Sequence, residues 1–83
     1  MTRTETNAAR AWRRSLDLTL TDLAKLTGYS PEAVWLFESG HNSKGKPHSS
    51  AVWRRWKLAC LAVMFLRHYN IETVDNWNWS TGK

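Results

Sequence analysis

A single cysteine, Cys60, stands in this chain of 83 residues, so no intramolecular disulfide can form and a disulfide-stapled secreted scaffold is excluded. Long apolar runs are missing too. The longest, residues 58–66, holds nine residues, about half of the roughly 18 needed to span a bilayer. No basic segment followed by an apolar core and a small-residue cleavage site opens the chain, so a secretory signal is not expected and a reducing cytoplasm is the expected compartment. Acid is scarce, with seven Asp and Glu against twelve Lys and Arg. Metal-ligand spacing is absent: His41, His48 and His68 form no ligand pattern with one another or with Cys60, and there is no Cys-x-x-Cys pair, so neither a metal nor any other cofactor is expected. Without a glycine-rich phosphate cradle, a nucleophile elbow or paired carboxylates, and with so few residues to enclose a pocket, an enzyme is not expected.

What is present describes one small basic domain. The formal charge is +5 and 42% of the residues are hydrophobic, which favours a packed core and a polyanionic partner over disorder. Six Trp enrich that core.

Residues 1–7 are polar and threonine-rich and read as a flexible N-terminal arm in which Arg3 can touch a polyanion. Residues 8–70 form the domain proper, and 71–83 a C-terminal tail. Ala8, Ala9, Trp12 and Leu16 recur at helical spacing while Arg10, Arg13 and Arg14 point elsewhere, which predicts an amphipathic first helix over about 7–16. Asp17 and Leu18 break it. Thr19 and Asp22 make a capping box for a second helix over about 20–27, with Leu20, Leu23, Ala24 and Leu26 inward and Gly28 as its left-handed stop. Ser30 caps a third helix with Pro31 at its first position, and Gly40 closes it. A basic, turn-rich loop follows. Ser49 or Ser50 then caps a long fourth helix reaching about Tyr69, uninterrupted by Gly or Pro.

Two short helices joined by a tight glycine turn, the second opened by Ser-Pro, are the sequence form of a helix-turn-helix. The segment from Leu18 to Gly40 resembles the Cro and phage-repressor (XRE-like) family: small Ala24, turn Gly28, apolar Val34 and Phe37, and the closing Glu38-x-Gly40 fall where that family has them. The match is close over residues 12–40 and by helical pattern alone over 50–66. The resemblance implies an all-α, lambda-repressor-like bundle of four to five helices that binds operator DNA, usually as a dimer.

The outward stripe of the third helix is Glu32, Trp35 and Ser39, with Leu36 beside it and Ser30 at its tip. It holds no Arg, Lys, Gln or Asn for two-point base contacts, although Glu32 can accept from a cytosine amino group and Trp35 or Leu36 can pack on thymine methyls. The candidate DNA-contacting set is Thr19 and Thr21 on the second helix, Ser30, Pro31, Glu32, Trp35, Leu36 and Ser39 on the third, and His41, Asn42, Ser43, Lys44 and Lys46 in the loop, where phosphate anchoring is expected. Arg54, Arg55 and Lys57 extend that basic surface or keep the fourth helix soluble. Cys60 reads as a small core residue.

On a helical wheel the fourth helix carries two apolar stripes. Val52, Trp53, Trp56, Ala59, Cys60 and Val63 face the other helices; Leu58, Leu61, Ala62, Phe65 and Tyr69 need a second cover. Leu58, Leu61, Phe65 and Tyr69 are therefore the expected homodimer seam, unless Trp77 and Trp79 fold back over them. The sequence thus predicts a dimeric transcriptional regulator on a pseudo-palindromic operator in double-stranded DNA. The competing reading is a protein-interaction module whose Trp35 and Leu36 dock another regulator.

Overall fold

Three side-chain caps fix where helices begin. Thr19 Oγ1 accepts from the Asp22 N–H at 3.0 Å while the Asp22 carboxylate accepts from the Thr19 N–H at 3.0 Å. Ser30 Oγ accepts from the Ala33 N–H, and Ser49 Oγ from the Val52 N–H. Each satisfies a donor that a helix N-terminus otherwise leaves open. The computed structural model describes residues 3–82, and the regular elements among them are all helical: α1 (Arg3–Ser15), α2 (Leu20–Thr27), α3 (Pro31–Ser39), α4 (Ser50–His68) and a single 3-10 turn (Val74–Asn76).

The stops follow backbone chemistry as well. Gly28 and Gly40 end α2 and α3 with φ of 85° and 84°, a conformation in which a Cβ is strained. Asp17, at φ 57°, closes the turn after α1.

α1 starts at Arg3, five residues ahead of the expected Ala8, so residues 3–7 are helical and not a flexible arm; Met1 and Thr2 lie outside the described residues. Tertiary contacts recruit this extra turn. Thr6 is buried, its methyl lies where a Cβ on Gly40 would meet it, and Glu5 pairs with Lys57 of α4 at 2.8 Å. Local composition carries none of that information.

The core lies where α2 and α3 cross and α4 closes over them. Leu23, Ala24, Val34, Phe37, Trp53, Trp56 and Val63 form one buried cluster, with Trp12, Leu18 and Tyr29 packed at its edge. Phe37 stacks on Trp56 with centroids 4.7 Å apart, and Tyr29 meets both rings edge-on, arrangements that add to the area they bury. The inner stripe expected on α4 is present, with Leu66 joining it in the buried set. The outer stripe is not covered from within: Leu58, Leu61, Phe65 and Tyr69 are exposed, and Trp79 is 88% exposed, so Trp77 and Trp79 do not fold back over it.

Arg13 departs most from the sequence expectation, because it points inward. It is buried beside Glu38, with Nε donating to Oε2 at 2.6 Å and Nη2 to Oε1 at 3.0 Å, while Nη1 donates to the Leu18 carbonyl at 2.8 Å. Arg10 donates to the Glu38 carbonyl from the rim. The pair clamps α1, the α1–α2 turn and the end of α3 together, and the Glu38 hydrogen bond is the main reason the Arg13 pKa is raised further.

Candidate functional site

α3 is held by its inner face alone. Val34, Phe37 and Glu38 are buried, whereas Pro31, Glu32 and Trp35 are exposed and Leu36 and Ser39 are half-buried. Trp35 retains 49% of its accessible surface, unusual for an indole on a small helix. Of the expected outward stripe, Glu32 and Trp35 are outward while Ser39 and the neighbouring Leu36 are half-covered; Ser30 at the tip, Thr19 at the α2 cap and Thr21 on its first turn are exposed.

The loop after α3 is built rather than slack. Asn42 Oδ1 accepts from the backbone N–H groups of Lys44 at 2.9 Å and Lys46 at 3.0 Å, and the Asn42 N–H donates to the Lys46 carbonyl at 2.7 Å. The loop is pinned at both ends to α3. His41 meets the Trp35 ring edge-on at 5.9 Å, and His48 Nε2–H donates to the Leu36 carbonyl at 3.1 Å while its ring lies on Phe37. That carbonyl also receives the Gly40 and His41 N–H groups. Ser43, Lys44 and Lys46 are exposed at the loop's outer side.

The structure thus joins Trp35 and His41 into one surface and holds the lysine-bearing turn to the same helix. It gives Asn42 a constructional job, since its acceptor oxygen is consumed inside the loop. It also redirects Lys57, whose Nζ donates to Glu5 Oε1 at 2.8 Å; that hydrogen bond is the main reason the Glu5 carboxyl is held below its ordinary pKa. Arg54 and Arg55 are exposed. His48 escaped the sequence reading as an anchor. A histidine just ahead of a helix cap, in a loop that must return across Phe37, is the signal that would have found it.

A second concavity lies between α1 and α4. It measures about 810 Å³ and is lined mainly by apolar side chains, including Ala8, Ala9, Trp12, Trp56, Leu61 and Met64, with Glu5, Arg54 and Lys57 at its edge. Cys60 lies in its wall, and burial pushes the thiol up to about 12. The described residues contain no group of three or more His, Cys, Asp or Glu able to hold a metal ion, and no helix among them is long and apolar enough to cross a membrane.

No family model matches the chain, and neither the comparison with curated proteins nor that with solved structures returned a match.

Proposed function

We propose that this chain is a DNA-binding transcriptional regulator of the lambda-repressor-like, XRE type, whose α2 and α3 act as a helix-turn-helix. The observation that carries the reading is the exposed face of α3, with the Lys44–Lys46 turn clamped beside it through His41 and His48. A helix packed on one side and bare on the other, with cations next to it, suits a major groove and its flanking phosphates. α3 enters with its N-terminal end, where Ser30, Pro31 and Glu32 meet base edges, and Trp35 and Leu36 supply apolar contact to thymine methyls. The loop and the first turn of α2 hold the backbone.

The exposed ridge Leu58, Leu61, Phe65 and Tyr69 makes the dimer contact. A two-fold pair then sets two α3 helices about 34 Å apart in successive major grooves of a pseudo-palindromic operator. Occupying a promoter in this way blocks or recruits polymerase according to the promoter's layout.

One observation favours a second reading. The half-exposed Trp35 and its neighbour Leu36 offer a contact surface with no side chain suited to two-point base recognition, which fits docking of another regulator. Titration of the full chain against random and promoter-derived duplexes at two salt concentrations separates the two. A regulator binds both duplexes, with affinity falling steeply as salt rises; a docking module shows no affinity for either duplex at low salt.

A further inference from the structure

The apolar groove between α1 and α4 and the tail beyond α4 are surfaces of complementary character, and neither satisfies the other within one chain. The groove is rimmed by Arg54 and by Lys57, the latter paired with Glu5 at the same edge, and α4 itself carries no Asp or Glu. Among the described residues, no ion pair engages Arg54. The tail holds Glu72 and Asp75 beside the Trp77–Trp79 pair, whose rings meet edge-on at 4.5 Å, with Trp79 almost wholly in water.

We propose that the occupant of this groove is the Trp77–Trp79 tail of a second copy of the chain, exchanged reciprocally across the dimer. The inference rests on the dimer reading above and adds a partner segment to it. Antiparallel packing of two α4 ridges sets the C-terminal end of one helix beside the N-terminal end of the other, where Trp53, Arg54 and Lys57 line the groove. Reach is sufficient: the tail leaves α4 beside the partner's groove, and the segment from Asn70 to Trp79 spans at most about 30 Å when its Val74–Asn76 turn opens.

Charge favours the same arrangement. Antiparallel α4 helices alone bring Arg54 and Arg55 of one copy toward Arg67 and His68 of the other, a like-charge contact that opposes association. Glu72 and Asp75 of the exchanged tail place acid at that point. Size agrees as well, because 810 Å³ lies within the about 300–1,000 Å³ of pockets that bury compact aromatic ligands. Each exchange removes the exposed Trp79, the half-buried Trp77 and an apolar groove from water together. Exchange of an identical element between protomers is a recognised route to dimers.

A charge-swap experiment on the full chain tests this by sedimentation equilibrium. Arg54, Glu72, Asp75 and Trp79 are exposed and Trp77 is half-buried, and circular dichroism of each variant verifies that the fold is left intact. Arg54→Glu alone and Glu72→Lys/Asp75→Lys alone are each expected to weaken self-association at least about tenfold. An equimolar mixture of the two variants is expected to recover wild-type affinity as a heterodimer, since each tail then meets a groove of opposite charge. Trp77→Ala/Trp79→Ala weakens association without rescue by either partner. A wild-type dimer unaffected by any of these variants overturns tail exchange and leaves the ridge contact standing; a chain monomeric at every concentration overturns both. Weakening that the mixture fails to restore also rejects reciprocal exchange.

Discussion

Arg13 and Glu38 form a two-point ion pair inside the bundle, at 2.6 Å and 3.0 Å, linking α1 to the last turn of α3. Both side chains are largely removed from water; Glu38 without Arg13 keeps only the part-exposed Arg10 at 3.5 Å, and Arg13 without Glu38 keeps only the Leu18 carbonyl, so either one left alone is a poorly compensated charge. Glu38→Ala or Arg13→Ala is expected to cost about 3 kcal/mol, whereas Arg13→Met combined with Glu38→Leu costs much less because no charge remains to be desolvated. Urea unfolding of the three variants measures the difference. Equal losses in single and double variants would mean that packing, not charge, sets the value of the pair.

Two carboxylates act in their ionised form: exposed Asp22 caps the start of α2, and half-buried Glu5 ties α1 to α4. The Asp22 carboxyl is lowered from its usual pKa chiefly by the Thr19 backbone N–H, and that of Glu5 chiefly by Lys57. A lowered folded-state pKa means that the folded chain binds fewer protons than the unfolded one over that range. The associated stability is present above about pH 4 and is lost as pH falls below it. Melting temperature followed from pH 6 to pH 2 is expected to decline through that window. Asp22→Asn starts from a lower value and declines less.

Cys60 is expected to be inert. Burial first, and the Glu38 charge second, push its thiol up to about 12 from an ordinary 9.0, leaving about a thousandfold less thiolate near pH 8 than a free cysteine has. Reaction with a disulfide reagent is therefore slow in the folded chain and becomes ordinary in denaturant. Fast native labelling would show that the groove wall opens on the time scale of the assay.

The parts of this fold legible in the sequence are those with local causes. Thr19, Ser30 and Ser49 announce three helix starts because a cap acts within three residues, and Gly28 and Gly40 mark stops because their own φ is the reason. Residues whose placement is set far along the chain escaped. The early start of α1 depends on Thr6 meeting Gly40, and the inward turn of Arg13 depends on a carboxylate 25 positions away. A trace existed: Glu38 lies four residues after Val34, on the buried arc of α3, and a carboxylate there requires a cation. In the candidate site the exposure of Glu32 and Trp35 followed from helical period, but the folding of the loop onto α3 through His48 is a non-local hydrogen bond, marked in the sequence only by a histidine just ahead of the α4 cap.

If α3 lies in a groove, its two flanking features have separable jobs. Lys44 and Lys46 are exposed beside it and neutralise phosphates, a term indifferent to sequence, with each contact contributing about 0.9 to the slope of log affinity against log salt. Lys44→Ala/Lys46→Ala is accordingly expected to weaken binding to every duplex by a similar factor and to reduce that slope by up to about 2. Trp35 meets His41 within the chain and, in this reading, bases in the groove. Trp35→Ala is expected to leave the slope unchanged and to compress the preference between operator and random duplex by no more than about 1–3 kcal/mol, the discrimination carried at one base pair. Fluorescence anisotropy with labelled duplexes at several salt concentrations measures both quantities on the same samples. A uniform loss from Trp35→Ala, with no change in preference, would assign the indole to holding His41 and the loop in place instead of reading bases.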